Sequence, residues 1–310
     1  MPDAIPVIYW VGFHLFVAVL MAAELIYVRR CPAEKRQTAF AVATVMWIAA
    51  ALALAGFVFR TMGPSAATQY LAGYAIEESL SIDNLFVFML LFGLFRIRPE
   101  RQPAVLFWGV AGAIVMRGLF ITAGIDLLER FSWIGYGFGA ILLVAAVRLF
   151  LPKNEAASEA ASRWLLWLSR WKPVSLRQDR FLVVEEGRRM ATVLLLALIA
   201  IELADLVFAI DSIPAVLSVT RHPFLAYTSN IMAVMGLRSL YFVLALPLKR
   251  LRFLRYGLAA VLAFAAVKML STAWWQIGPL VSLGVIVAMI GVTVVLSLAF
   301  TGRKSPGAPS

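Results

Sequence analysis

Residues 201–215 read Ile201-Glu202-Leu203-Ala204-Asp205-Leu206-Val207-Phe208-Ala209-Ile210-Asp211-Ser212-Ile213-Pro214-Ala215, three carboxylates set in an apolar run. The run extends over about 190–219, long enough to cross a hydrocarbon core about 30 Å thick. A charge at that depth is costly unless it is paired or faces water, so these acids are placed for a purpose. The stretch reads as a membrane span that carries its own polar site.

Moving outward, eight more apolar segments of similar length appear, at about 5–28, 39–59, 69–95, 103–122, 132–151, 225–247, 253–273 and 278–300. The whole chain has 310 residues, 62% hydrophobic and 15% charged, with a mean hydropathy of +0.88. Water-soluble domains are nearer ~45–50% apolar and ~25% charged, so a soluble enzyme, a disulfide scaffold and a disordered chain are excluded. Cys31 is the single cysteine, which removes internal disulfides and paired-thiolate metal sites. The residues before Ile5 carry no Lys or Arg, so no cleavable leader is expected and the first segment stays as a span.

The basic residues test the span count. With nine spans and the N-terminus outside, twenty-one Lys and Arg fall on the cytoplasmic side and three, Arg60, Arg130 and Arg221, fall outside. That bias predicts an all-α polytopic protein, N-out and C-in, and accounts for the net charge of +11 without nucleic acid. Between spans five and six, Trp164, Trp167, Leu168 and Trp171 follow helical spacing beside Arg163 and Arg170, which predicts a helix lying in the headgroup region. Gly135, Gly137 and Gly139 predict close helix packing in span five.

The motif of span six has a counterpart in span three. Glu77-Glu78-Ser79-Leu80-Ser81-Ile82-Asp83-Asn84 and Asp205-Leu206-Val207-Phe208-Ala209-Ile210-Asp211-Ser212 both give an acid, five residues, Asp and a small polar residue. Arg117 in span four matches Arg238 in span seven, and Arg148 in span five matches Lys268 in span eight. Spans three and six run in opposite directions in the predicted topology, so the halves form an inverted pair of three-helix repeats, an arrangement found in many secondary transporters. The predicted divisions are two N-terminal helices (1–68), the first repeat (69–151), the cytoplasmic connection (152–189), the second repeat (190–273) and a last helix with its tail (274–310).

Seven acids lie within spans: Glu24, Glu77, Glu78, Asp83, Glu202, Asp205 and Asp211. Four bases, Arg117, Arg148, Arg238 and Lys268, accompany them. At roughly 3 kcal/mol each, eleven lipid-facing charges would cost about 30 kcal/mol, far more than folding supplies. They must pair with one another or line a wet cavity. The acidic excess favours a cation over an anion, with the four bases neutralising the carboxylates in the empty state or acting as gates. Pro214 and the side chains of Ser79, Ser81 and Asn84 predict helices broken or bent near Asp83 and Asp211. The available donors are carboxylate, amide and hydroxyl oxygens, which suit Mn²⁺, Mg²⁺ or Ca²⁺. His14 and His222 lie near span ends, Met89, Met116 and Met235 read as core, and Glu185-Glu186 reads as a solvated pair of loop charges.

Through Glu77-x5-Asp83-Asn84 and the run Ile201–Ala215, the chain resembles the TerC family of integral membrane proteins, in its nine-span Alx-type form. The resemblance covers roughly residues 70–300. It implies a bacterial inner-membrane protein associated with manganese export and with tellurium resistance, and it narrows the hard divalent cation to Mn²⁺. It assigns metal binding to Glu77, Asp83, Glu202, Asp205 and Asp211, with Asn84 and Ser212 as supporting ligands; Glu78 matches no motif position.

The expected function is export of a divalent cation from the cytoplasm in exchange for protons, since clustered carboxyls raise one another's affinity for a proton. The cation is cargo; no prosthetic group and no enzymatic activity are expected, since no nucleophile–base set stands out. Two rivals remain open at this point. One is a non-transporting membrane partner in a metal-delivery or tellurium-stress complex, and the other is an oxyanion transporter that uses the four bases.

Overall fold

The computed structural model describes residues 6–301, apart from 124, 151–173, 186, 221, 249–250, 252, 272–273 and 275–276. Among the described residues, nine long helices occupy the nine apolar segments. They are α1 (Val7–Arg30), α2 (Arg36–Met62), α3 (Pro64–Leu94), α4 (Gln102–Ala123) and α5 (Ile125–Phe150), then α6 (Val193–Val219), α7 (Pro223–Leu248), α8 (Leu254–Ser271) and α9 (Pro279–Thr301). Three of the starts follow one rule: Pro64, Pro223 and Pro279 each stand at the first helical position, where a missing N–H costs nothing. Gly63, at φ 90°, makes the break between α2 and α3 that a residue with a Cβ would resist.

Seven of these helices are long and apolar enough to cross a membrane by length and composition. The exceptions are α3, which carries Glu77, Glu78 and Asp83, and α5, whose described apolar stretch is Tyr136–Phe150. Large apolar side chains such as Leu15, Val19, Val292 and Leu298 stand exposed on α1 and α9. Apolar faces of that kind, on helices long enough to cross a bilayer, fit lipid and not water. The protein is thus a helical, multi-pass membrane protein.

Two features depart from the sequence reading. The membrane-spanning architecture is all-helical as expected, and the connection before α6 adds a three-stranded sheet of order β1-β3-β2, made of Val174–Ser175, Leu182–Glu185 and Arg188–Thr192. Leu182-Val183-Val184 is a short β-prone run, too brief to stand out in an Arg-rich connection, and Gly187 at φ 75° turns β2 into β3. As a result α6 starts at Val193 and not near 190, and Glu185 is a strand residue that accepts from Ser175 Oγ at 2.8 Å. The predicted Trp-rich interfacial helix lies outside the described residues.

The second departure concerns the backbone at the motifs. Helical structure continues through both Asp83 and Asp211, so the expected breaks are absent. Ser79 shows why: its hydroxyl donates to the Ala75 carbonyl of its own helix at 2.7 Å and leaves the main-chain ladder in place. Pro214 sits near the end of α6, where only the last turns follow it.

The chain divides into two compact units. The first holds residues 1–85, 106–132 and 205–246, and the second holds 86–105, 133–204 and 247–310. The first unit is built around Trp47, Tyr70, Ile213, Leu225, Ile231 and Met232, all essentially inaccessible. Gly73 of α3 allows close approach there, since an added Cβ would lie 2.8 Å from Ser229 Oγ of α7. In the second unit α8 and α9 pack tightly at Gly257, where a Cβ would meet Thr293 Oγ1 at 2.5 Å. Gly139 of α5 similarly faces Met269 and Leu270 of α8, whereas Gly137 has open space beside it, so of the close packing expected in span five only the Gly139 contact is seen among the described residues.

Candidate functional site

The first unit contains a buried charge cluster centred on Arg117 of α4, whose exposure is 0%. Arg117 reaches Asp205 of α6 with two donors, Nη2 to Oδ1 at 3.0 Å and Nε to Oδ2 at 3.3 Å. Its Nη1 donates to Glu77 Oε1 of α3 and also to Asn230 Oδ1 of α7. Asn230 Nδ2 in turn donates to Glu77 Oε2 at 2.9 Å, and Ser81, one turn beyond Glu77, donates to Oε1 at 3.4 Å. Four helices therefore converge on one guanidinium, and every carboxylate oxygen of Glu77 and Asp205 has a donor. Arginine suits the position because its planar fork can satisfy two carboxylates at once and stays charged when buried.

Glu77 and Asp205 are the leading acids of the two matched motifs. The structure brings these equivalent positions together on the arginine that follows the first motif. With all three groups ionised the trio carries one net negative charge, a site in which a cation is held but not fully matched.

The trailing positions of the motifs are less fully described. Asp83 and Asp211 lie on α3 and α6, and their side chains fall outside the described residues. Their neighbours Asn84 and Ser212 are 1% and 2% exposed, and Asn84 Oδ1 and Ser212 Oγ have no hydrogen-bond partner among the described residues. Two buried oxygens left unsatisfied at matched positions are unusual, because each costs about 1–3 kcal/mol. Glu78 Oε2 is likewise buried without a partner among the described residues. Among the described residues no group of three His, Cys, Asp or Glu side chains is gathered as for a bound metal. Arg117 stands between the two acids that are best placed.

The remaining bases take other partners. Arg238, the match of Arg117, is paired with Glu24 of α1, and Glu24 also accepts from Trp47 Nε1 at 2.8 Å and Ser239 Oγ at 2.7 Å. Arg238 also lies over the Phe107 ring, 5.9 Å from its centroid. This second cluster ties α1 and α2 to α7 and explains the lone acid of the first span. In the second unit, Lys268 Nζ is 3.4 Å from Ser282 Oγ, Arg148 is exposed at the end of α5, and Glu202 is half-buried one turn before Asp205.

The softer candidates are structural. Met116 and Met235 pack in the core of the first unit, and Met89 is buried. His14 bonds the Trp10 carbonyl at 2.8 Å and the Tyr227 hydroxyl at 2.9 Å. His222, between α6 and α7, is partly buried with no partner for Nδ1 among the described residues, and burial holds its imidazole below the usual histidine range.

Sequence reasoning passed over Asn230, Trp47 and Ser239. The run Tyr227-Thr228-Ser229-Asn230 was the available signal, four polar side chains in succession within an apolar span, all buried. An amide carries no formal charge, so a reading based on charge balance does not find it.

Comparison with known proteins adds the wider context. The sequence model of the "Integral membrane protein TerC family" matches residues 62–305. "Uncharacterized membrane protein STKORF319" of Myxococcus xanthus is 39% identical over 300 residues, covering 96% of this chain and 93% of that protein. "Putative membrane-bound redox modulator Alx" of Escherichia coli is 36% identical over 299 residues, covering 93% of each. "Thylakoid membrane protein TERC, chloroplastic" of Arabidopsis thaliana is 39% identical over 239 residues, covering 76% of this chain and 62% of that protein. No solved structure matches the chain.

Proposed function

The chain belongs to the TerC family of integral membrane proteins, and from that premise we propose that it exports a divalent cation, Mn²⁺, from the cytoplasm of a bacterial cell across the inner membrane. The reading takes all nine helices as spans, N-out and C-in, with residues 69–151 and 190–273 as inverted repeats. The observation that carries it is the single guanidinium of Arg117 bridging Glu77 and Asp205, the equivalent acids of the two motifs.

In this account Arg117 is an internal counter-ion. While it holds Glu77 and Asp205, the site is closed to a cation. When it withdraws, Glu77 and Asp205 leave two buried carboxylates that a divalent ion brings to neutrality; Asp83, Asp211 and Glu202 extend the acidic set, their charge balanced by the basic residues and by protons. Asn84 and Ser212, whose buried oxygens lack partners among the described residues, supply neutral ligand oxygens. Return of Arg117 displaces the ion, and protons serve as the exchanging charge. Oxygen donors throughout favour Mn²⁺, Mg²⁺ or Ca²⁺ over softer metals, and family membership favours Mn²⁺ among them. Arg238, held by Glu24, and Arg148 and Lys268 complete the charge balance. The protein acts as a transporter and not as an enzyme, and needs no prosthetic group.

The Alx relatives bear a redox-modulator name. In this chain Cys31 is the sole cysteine, so the chain forms no disulfide couple of its own, and a redox effect is read as following from metal balance. The test is Mn²⁺ tolerance in cells that depend on this protein. Asp83→Ala and Asp211→Ala are expected to abolish tolerance while the protein remains inserted; normal tolerance in both contradicts the proposal and favours a non-transporting partner in metal delivery.

A further inference from the structure

We infer that Asn230 is an oxygen ligand of the transported cation, an assignment that rests on the cation-transport reading above. Asn230 lies on α7 with 0% exposure, and both ends of its amide are committed. Nδ2 donates to Glu77 Oε2 at 2.9 Å, and Oδ1 accepts from Arg117 Nη1. Turning the amide over would set its NH₂ against the guanidinium and its oxygen against the carboxylate, so the partners fix which end faces which.

The consequence lies in where the oxygens point. Glu77 Oε1 and Asn230 Oδ1 both receive the same nitrogen, Arg117 Nη1. That nitrogen marks a place on which two hard oxygens already converge, with Asp205 gripping the other side of the guanidinium. A cation that takes the place of Nη1 meets both oxygens without a change of rotamer in either residue. Nδ2 keeps Glu77 in position throughout. Because the amide is neutral, it adds a ligand and leaves the charge match between two carboxylates and a divalent ion undisturbed.

The repeats add a second observation. Asn230 stands eight positions before Arg238, and the same step back from Arg117 reaches Gly109. The amide therefore exists in one half only, so the two halves together build one such site and not two.

The experiment is equilibrium Mn²⁺ binding to the purified full-length protein in detergent, read from the loss of the free Mn²⁺ EPR signal. Wild type is compared with Asn230→Ala, Asn230→Ser and Asn230→Asp. Loss of the ligand in Asn230→Ala is expected to weaken binding about tenfold or more. Asn230→Ser, which keeps an oxygen, is expected to lose less, and Asn230→Asp to bind at least as tightly as wild type. A residue that only positions Glu77 gives another order, with Asn230→Asp weakest because it sets a like charge beside that carboxylate. That order, or affinities all within about twofold of wild type, overturns the assignment and leaves the transport reading standing. If Asn230→Ala does not fold, the order of Ser and Asp decides the same question. A wild-type protein that binds no Mn²⁺ overturns the cation reading and this assignment with it.

Discussion

Arg117 holds Asp205 at two points, through Nη2 at 3.0 Å and Nε at 3.3 Å, with both side chains buried. Removing one member of such a pair leaves the other charge buried and unmatched, which costs about 3–5 kcal/mol. Arg117→Met is expected to lose that much in unfolding experiments without metal, and Arg117→Lys to lose less, since it keeps the charge and gives up the fork. Added Mn²⁺ is expected to raise the Tm of Arg117→Met more than that of wild type, because the ion replaces the missing charge. Equal Tm values with and without Mn²⁺ in both proteins would count against Arg117 as the counter-ion of a cation site.

The Glu24–Arg238 cluster makes a separate prediction about assembly. Glu24→Gln is expected to destabilise by about 3–5 kcal/mol, since Arg238 is then left without its carboxylate. Trp47→Phe removes one hydrogen bond to Glu24 and is expected to cost about 1 kcal/mol. In a double-mutant cycle, Glu24→Gln with Arg238→Met should cost clearly less than the two changes added together. Strict additivity would mean that the pair does not couple α1 to α7.

Close packing at Gly73 gives a steric test. An added Cβ would sit 2.8 Å from Ser229 Oγ and 3.3 Å from Val216 Cγ1, and overpacking of this kind costs about 1–3 kcal/mol. Gly73→Ala is expected to lose stability in this range and to regain most of it when combined with Ser229→Ala, which removes the nearer atom. No recovery in the double variant would place the strain elsewhere.

His222 predicts a pH effect. Burial lowers its folded-state pKa, so below about pH 6.5 the unfolded chain takes up a proton that the folded chain resists. Its contribution is therefore intact above that pH and declines as pH falls through the window below it. Unfolding measured from pH 7.5 to 5 should show a smaller acid loss in His222→Gln than in wild type. Identical slopes would remove His222 as a cause.

The residues also show what a sequence can and cannot convey. The helices were legible because crossing lipid demands long apolar runs, and eleven intramembrane charges required that partners exist. Which charge meets which was not legible. Arg117 and Arg238 are equivalent in the repeats, yet one bridges Glu77 and Asp205 while the other goes to Glu24, which lies 214 residues away in sequence. That choice depends on how helices outside the repeat pack, and no local pattern encodes it. Asn230 was invisible to charge counting because it is neutral. The expected helix breaks failed because Ser79 bonds back to its own helix, so polar groups were supplied without opening the backbone. The sheet was missed because three short strands leave almost no periodic signal.

The most direct test is Mn²⁺ flux into liposomes containing the purified protein, with Asp83→Ala, Asp211→Ala and empty vesicles alongside. The account predicts flux with wild type under a proton gradient, and none with either variant or with empty vesicles. Correctly folded wild-type protein that moves no Mn²⁺ under any pH gradient would contradict it.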